Sequence, residues 1–159
     1  LGVGEVFARR AERITVIRPC VEAGENSLGW LGGSLDDKMD PHYQVFHEAI
    51  HRVSFGFPAK CLRRLAINFV RGMTFTDEVV IVDEAQNFTL RELRLLLERL
   101  GERARIVFLG DPEQPDVANS GLVEFFYRLD GAAGVARVDF CDEDIVRHPR
   151  LKEWLRRLR

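Results

Sequence analysis

The chain has 159 residues, 46% hydrophobic and 30% charged, with a formal net charge of −2. That composition suits one ordinary domain over residues 1–159 and argues against a disordered chain; no apolar run approaches the roughly 20 residues of a spanning helix, so no membrane role is expected. The near-neutral balance gives no global argument for nucleic acid, and the widely spaced Cys20, Cys61 and Cys141 read as reduced thiols of a cytoplasmic protein.

Taken in chain order, residues 2–12 carry a helical pattern and Ile14 to Arg18 a strand. Residues 19–40 read as a long loop with Gly24, Gly29, Gly32, Gly33 and the acidic pair Asp36-Asp37, and loops of that length inside a domain are usually functional. Pro41 to Val53 is helical in pattern, and Leu65 to Val70 is strand-like.

The run Val79-Val80-Ile81-Val82-Asp83-Glu84 is the most informative. Four β-branched residues predict a strand buried on both faces, as in a parallel sheet, with two carboxylates where it ends. Ligands of open α/β sheets bind outside the carboxyl ends of the strands. There Asp83 could hold Mg²⁺ through its water shell, and Glu84 could polarise a water aimed at a phosphate. The competing reading is a strand that simply ends in acidic residues.

Thr89-Leu90-Arg91-Glu92 is a capping box that starts a helix; Leu90, Leu93, Leu97 and Leu100 form its apolar stripe, and Gly101 ends it. Its arginines and glutamates, interleaved from Arg91 to Arg103, read as a solvated face. Arg105 to Leu109 is a second apolar strand, ending in Gly110-Asp111-Pro112-Glu113-Gln114-Pro115-Asp116. Gly110 permits close backbone approach, and Gln114 could sense a phosphate or a lytic water. Ser120 to Leu129 reads as a helix, Val135 to Phe140 as a final strand, and Leu151 to Leu158 as a last, basic helix. Strands alternating with helices predict a parallel α/β sheet.

Asp83-Glu84-Ala85-Gln86-Asn87 followed by Gly110-Asp111-x-x-Gln114-x-Asp116 resembles the PhoH-like family of P-loop ATPases, whose core is similar to the nucleotide-binding domain of superfamily 1 helicases. Arg18-Pro19-Cys20-Val21-Glu22-Ala23-Gly24-Glu25, Leu28-Gly29-Trp30-Leu31, Lys38-Met39-Asp40-Pro41, Val70-Arg71-Gly72-x-Thr74 and Asp144-Ile145-Val146-Arg147-His148-Pro149 resemble further family segments in order. The resemblance implies a three-layer parallel sheet of the RecA/helicase-like type with ATP and Mg²⁺ as ligands. It leaves open coupling to RNA or single-stranded nucleic acid and assembly of a homo-oligomeric ring.

Carried over residue by residue, the resemblance makes Asp83 the Mg²⁺-orienting carboxylate and Glu84 the base. Asp111 and Gln114 become the loop that reads the γ-phosphate, and Arg147 a cation for the transferred phosphoryl group, with a surface pair to Glu143 or Asp144 as its competing role. Arg18 and Arg71 become candidate contacts to phosphates of ATP or nucleic acid; Trp30 is a candidate stacking platform for a base, with core packing as the alternative. Met73 and Gly32 depart from the family pattern, at positions where Arg and Pro are usual.

No G-x-x-x-x-G-K-[ST] phosphate loop occurs in the chain. The expectation is therefore a chain that starts just past that loop and lacks the first central strand, with a gap in the sheet and weak ATP binding by residues 1–159 alone. A metal-dependent nuclease or phosphatase using Asp83, Glu84, Asp111 and Asp116, or a non-catalytic nucleotide-binding remnant, remains open.

Overall fold

Three of the apolar runs become neighbouring strands. The computed structural model describes residues 2–19, 35–54, 56–144, 146, 148, 150, 153, 154 and 157, with backbone alone at 35–42, 45 and 142. Its contacts group the chain into two units, 1–128 and 129–159.

Strands β1 (Arg13–Arg18), β2 (Leu62–Ala66), β3 (Glu78–Val82) and β4 (Arg105–Phe108) form one sheet in the order β2-β1-β3-β4. Every pairing is parallel. The two central strands are covered on both faces: Ile14, Thr15, Val16 and Ile17 of β1, and Val79, Val80 and Val82 of β3, are all 2% exposed or less.

Helices α1 (Gly2–Phe7), α2 (Leu35–Val53), α3 (Leu90–Leu97) and α4 (Leu122–Leu129) flank the sheet. Ile14, Val16 and Ile81 share one face with Val3 and Val6 of α1 and with Tyr43 and Phe46 of α2. The Tyr43 hydroxyl donates to the Leu65 carbonyl at 2.8 Å, so this ring is buried without losing its hydrogen bond. Thr15 and Ile17, one residue out of step, face the other way. Leu93 and Leu96 of α3 are fully buried.

The capping box forms as expected. The Thr89 hydroxyl accepts from the Glu92 N–H at 3.3 Å, and the Glu92 carboxylate accepts from the Thr89 N–H at 2.8 Å. The buried stripe turns on Leu93 and Leu96, not on Leu97 and Leu100, which are half-buried. The helix also stops at Leu97. Gly101 instead donates to the Phe75 carbonyl at 2.7 Å, where a side chain would collide with that carbonyl oxygen and with the side chains of Thr74 and Thr76.

Other boundaries move. The first helix ends at Phe7, and the helix expected from Pro41 already begins at Leu35. The strand expected at Leu65–Val70 lies earlier, and Ile67–Phe69 forms a 3₁₀ turn. The strand expected at Val135–Phe140 does not form: those residues are irregular and exposed, with no ladder partner among the described residues. Alternating hydrophobicity becomes a strand only where a neighbour takes up its backbone groups. Of the last helix, Glu153, Trp154 and Arg157 are helical and the rest lies outside the described residues.

No two described strands face each other across the gap that was expected. β1 and β3 pair directly, so a further strand would join at an outer edge, beside β2 or β4. No helix among the described residues is long and apolar enough to cross a membrane.

Candidate functional site

The carboxyl ends of β1, β3 and β4 meet. The Asp83 N–H donates to the Ile17 carbonyl at 2.9 Å, which holds the end of β3 against the last residue of β1, Arg18. One Arg18 guanidinium nitrogen then lies 2.7 Å from Asp83 Oδ2 and 3.3 Å from Glu84 Oε1. Asp83 and Arg18 are largely enclosed, with side chains 19% and 16% exposed, while Glu84 reaches solvent at 44%. Burial pushes the Asp83 carboxyl above its ordinary value, and the charge of Glu84 adds to the shift. The attraction of Arg18 opposes it without cancelling it.

Glu84 sits in the left-handed region, at φ 54° and ψ 44°. A side chain there costs about 1–2 kcal/mol, and such residues persist only where their surroundings hold them. The turn it makes brings the Ala85 N–H to the Leu109 carbonyl at 2.8 Å, joining the exits of β3 and β4.

Gln86 ties these two exits together through its side chain. It is 4% exposed. Its Nε2 donates to Glu84 Oε2 at 2.7 Å, and its Oε1 accepts from the Asp111 N–H at 3.2 Å. The amide orientation follows from its partners, since a carboxylate can only accept and a backbone N–H can only donate. Gly110 makes this contact possible: a Cβ there would lie 2.7 Å from Gln86 Oε1 and 3.0 Å from the Gln86 nitrogen.

Asp111 organises its own loop, accepting from the Glu113 N–H at 2.9 Å and from Gln114 Nε2 at 2.8 Å. Asn87 and Asp116 close the far side reciprocally. Asn87 Nδ2 donates to Asp116 Oδ2 at 2.8 Å, and the Asp116 N–H donates to Asn87 Oδ1 at 2.7 Å.

Arg18, Asp83 and Glu84 thus touch, and Asp111 and Gln114 connect to them through Gln86. Arg71 is not part of this constellation; it lines a cleft beside α3. Trp30 and Arg147 lie outside the described residues. Sequence reasoning assigned no role to Gln86 or Asn87. The available signal was two amides directly behind a carboxylate pair, but their burial and their partners in the next loop have no local signature.

Among the described residues no three His, Cys, Asp or Glu side chains converge on one point. A protein cage for a metal is therefore not built from them. Mg²⁺ does not need one: it is usually held through one or two carboxylates, several waters and substrate phosphates, and the oxygen donors of Asp83 fit that role.

A parallel α/β sheet with a carboxylate pair at the end of a central strand, locked to the loop of the next strand, is consistent with a P-loop NTPase core. The sequence comparisons agree with it. The PhoH-like protein family matches residues 1–158, and the chain belongs to that family of P-loop ATPases. It is 36% identical to a PhoH-like protein of Bacillus subtilis over 87% of this chain and 46% of that protein. A PhoH-like protein of Synechocystis is 36% identical over 94% of this chain and 48% of its own length. Protein PhoH of Escherichia coli is 35% identical over 86% of this chain and 41% of its own length. The chain spans about half the length of the curated relatives it matches.

Proposed function

We propose that this chain is the ATP-handling core of an ATPase in which Glu84 is the general base. The observation that carries this reading is the setting of Glu84: a non-glycine residue at positive φ, its carboxylate fixed by Arg18 and Gln86 beside a partly buried Asp83. In this reading a water attacks the γ-phosphorus and Glu84 takes its proton. The bond to the β-phosphate oxygen breaks, and ADP and inorganic phosphate leave.

Mg²⁺, oriented by Asp83 through water, would neutralise charge on the β- and γ-phosphates. Arg18 bridges the two carboxylates and is the candidate contact to a phosphate of ATP. The Asp111–Gln114 loop senses the γ-phosphate and passes its state to Glu84 through Gln86. Arg147 would supply the cation for the transferred group, a role resting on the sequence resemblance. Coupling to RNA or single-stranded nucleic acid, and a ring of subunits, belong to the same proposal.

The nuclease alternative draws less support, because Asp111 is engaged by Gln114 and Asp116 by Asn87. The test is Glu84→Gln in the intact protein. ATP binding by calorimetry should persist while turnover falls by a factor of about 10²–10⁴. Wild-type turnover in that variant sinks the proposal.

A further inference from the structure

The arginines along α3 present more than a solvated face. A cavity of about 790 Å³ lies beside the helix, its charged wall formed by Arg71, Arg91, Arg94, Arg99, Glu92 and Glu98. Arg71 reaches it from a tight turn in which the Met73 N–H donates to the Val70 carbonyl at 3.1 Å and Gly72 takes φ 80°.

The carboxylates of this wall are already committed. Glu92 accepts from the Thr89 N–H and hydroxyl at 2.8 Å each, closing the capping box. Glu98 pairs with Arg94 at 2.9 Å. Arg71, Arg91 and Arg99 make no ion pair among the described residues, and Arg99 Nε is buried there without an acceptor. Three guanidinium groups without an ion-pair partner therefore share one cavity with the single charge of Glu92, which leaves the wall net positive, and each offers a planar fork suited to phosphate oxygens.

We propose that this cleft binds the phosphodiester backbone of a single-stranded polynucleotide. Arg91 lies in the first turn of α3 and Arg99 just past its carboxyl end, Arg71 lines the same cleft from a neighbouring turn, and an eight-residue helix is about 12 Å long, more than a single phosphate group spans. No aromatic ring lines the cleft among the described residues, so these side chains grip the backbone without stacking bases and independently of sequence. Only the short stretch Ala85–Thr89 separates Glu84 from the first residue of α3, which gives a strand bound here a direct mechanical route to the carboxylate pair. This inference deepens the nucleic-acid coupling proposed above and rests on that part of it.

The test is a fluorescence-anisotropy titration of the intact protein with a labelled oligouridylate over a range of NaCl concentrations. Each phosphate neutralised on a single strand contributes a slope of about −0.7 to log K against log salt. The double variant Arg71→Ala/Arg91→Ala should flatten the wild-type slope by about 1.4. Arg52→Ala, which removes one exposed charge at the end of α2, should leave it unchanged. Equal slopes in the wild type and the double variant would overturn the assignment, as would binding of inorganic polyphosphate with none of oligouridylate. Absent oligonucleotide binding with normal ATP turnover would overturn the cleft and leave the ATPase reading standing. The predicted flattening in a protein without ATP turnover would support the cleft and remove the ATPase reading instead.

Discussion

At its amino end β3 starts with Glu78, and at its carboxyl end it releases Asp83 and Glu84. Glu78 is 5% exposed and is held by three neighbouring side chains. Thr15 Oγ1 and Arg63 Nη2 both reach its Oε2 at 2.6 Å, and Arg13 stands 3.7 Å from its Oε1. Arg63 Nε also donates to Thr15 Oγ1 at 3.0 Å, closing a triangle across β3, β1 and β2. The exit pair is held differently. Asp83 and Glu84 share one arginine nitrogen, Asp83 is pushed upward by its burial, and Glu84 occupies a costly backbone conformation. An enclosed acid bonded to both neighbouring strands fixes strand register. A more exposed acid, in a conformation its neighbours must enforce, is available for the chemistry proposed above.

That contrast can be broken by exchanging the readouts. Glu84→Gln should lose most turnover with little change in unfolding midpoint. Glu78→Ala should do the reverse, costing about 3 kcal/mol of stability, because a partly enclosed Arg63 loses its counter-charge, while turnover per folded molecule is retained. Urea denaturation alongside a steady-state assay of both variants checks this; catalytic loss in a fully folded Glu78→Ala would show that the two ends do not divide labour.

Thr15→Val sharpens the structural half. It removes the hydroxyl that donates to Glu78 and accepts from Arg63, at a cost of about 1–2 kcal/mol. A urea midpoint equal to wild type would mean that the ion pair alone carries the register.

Asp83→Asn gives the smallest effect, and its sign is the informative part. Burial raises the Asp83 carboxyl, so its charged form costs stability. The cost is absent below the ordinary unfolded value of about 3.9 and fully present once the pH exceeds the raised folded value. The variant should therefore be more stable than wild type at neutral pH, with the advantage fading as pH falls toward about 4. Thermal denaturation across that range checks it, and lower stability at neutral pH would mean that Arg18 outweighs burial.

Much of this was legible from local pattern. The strands at Ile14, Val79 and Arg105, the Thr89 capping box and the exit carboxylates all declare themselves through short-range chemistry. β2 did not, because Leu62-Arg63-Arg64-Leu65-Ala66 looks too charged for a strand until Arg63 is seen to serve a buried acid on another strand. Leu65–Val70 is the more apolar stretch, yet its second half coils into a 3₁₀ turn. The left-handed backbone of Glu84 and the double duty of Gln86 are likewise products of tertiary contact. Val135–Phe140 shows the opposite failure, a good strand pattern with no described neighbour.

The seating of Gly110 on Gln86 has an engineering consequence. Because the second exit loop is moulded onto the first at backbone distance, and Ala85 is bonded to Leu109 across the same seam, neither loop is an interchangeable part. A graft of the acidic turn onto another parallel sheet must carry the glycine, the amide and the following loop as one cassette, since transplanting Asp83 and Glu84 alone would deliver the carboxylates without the clasp that sets their pose.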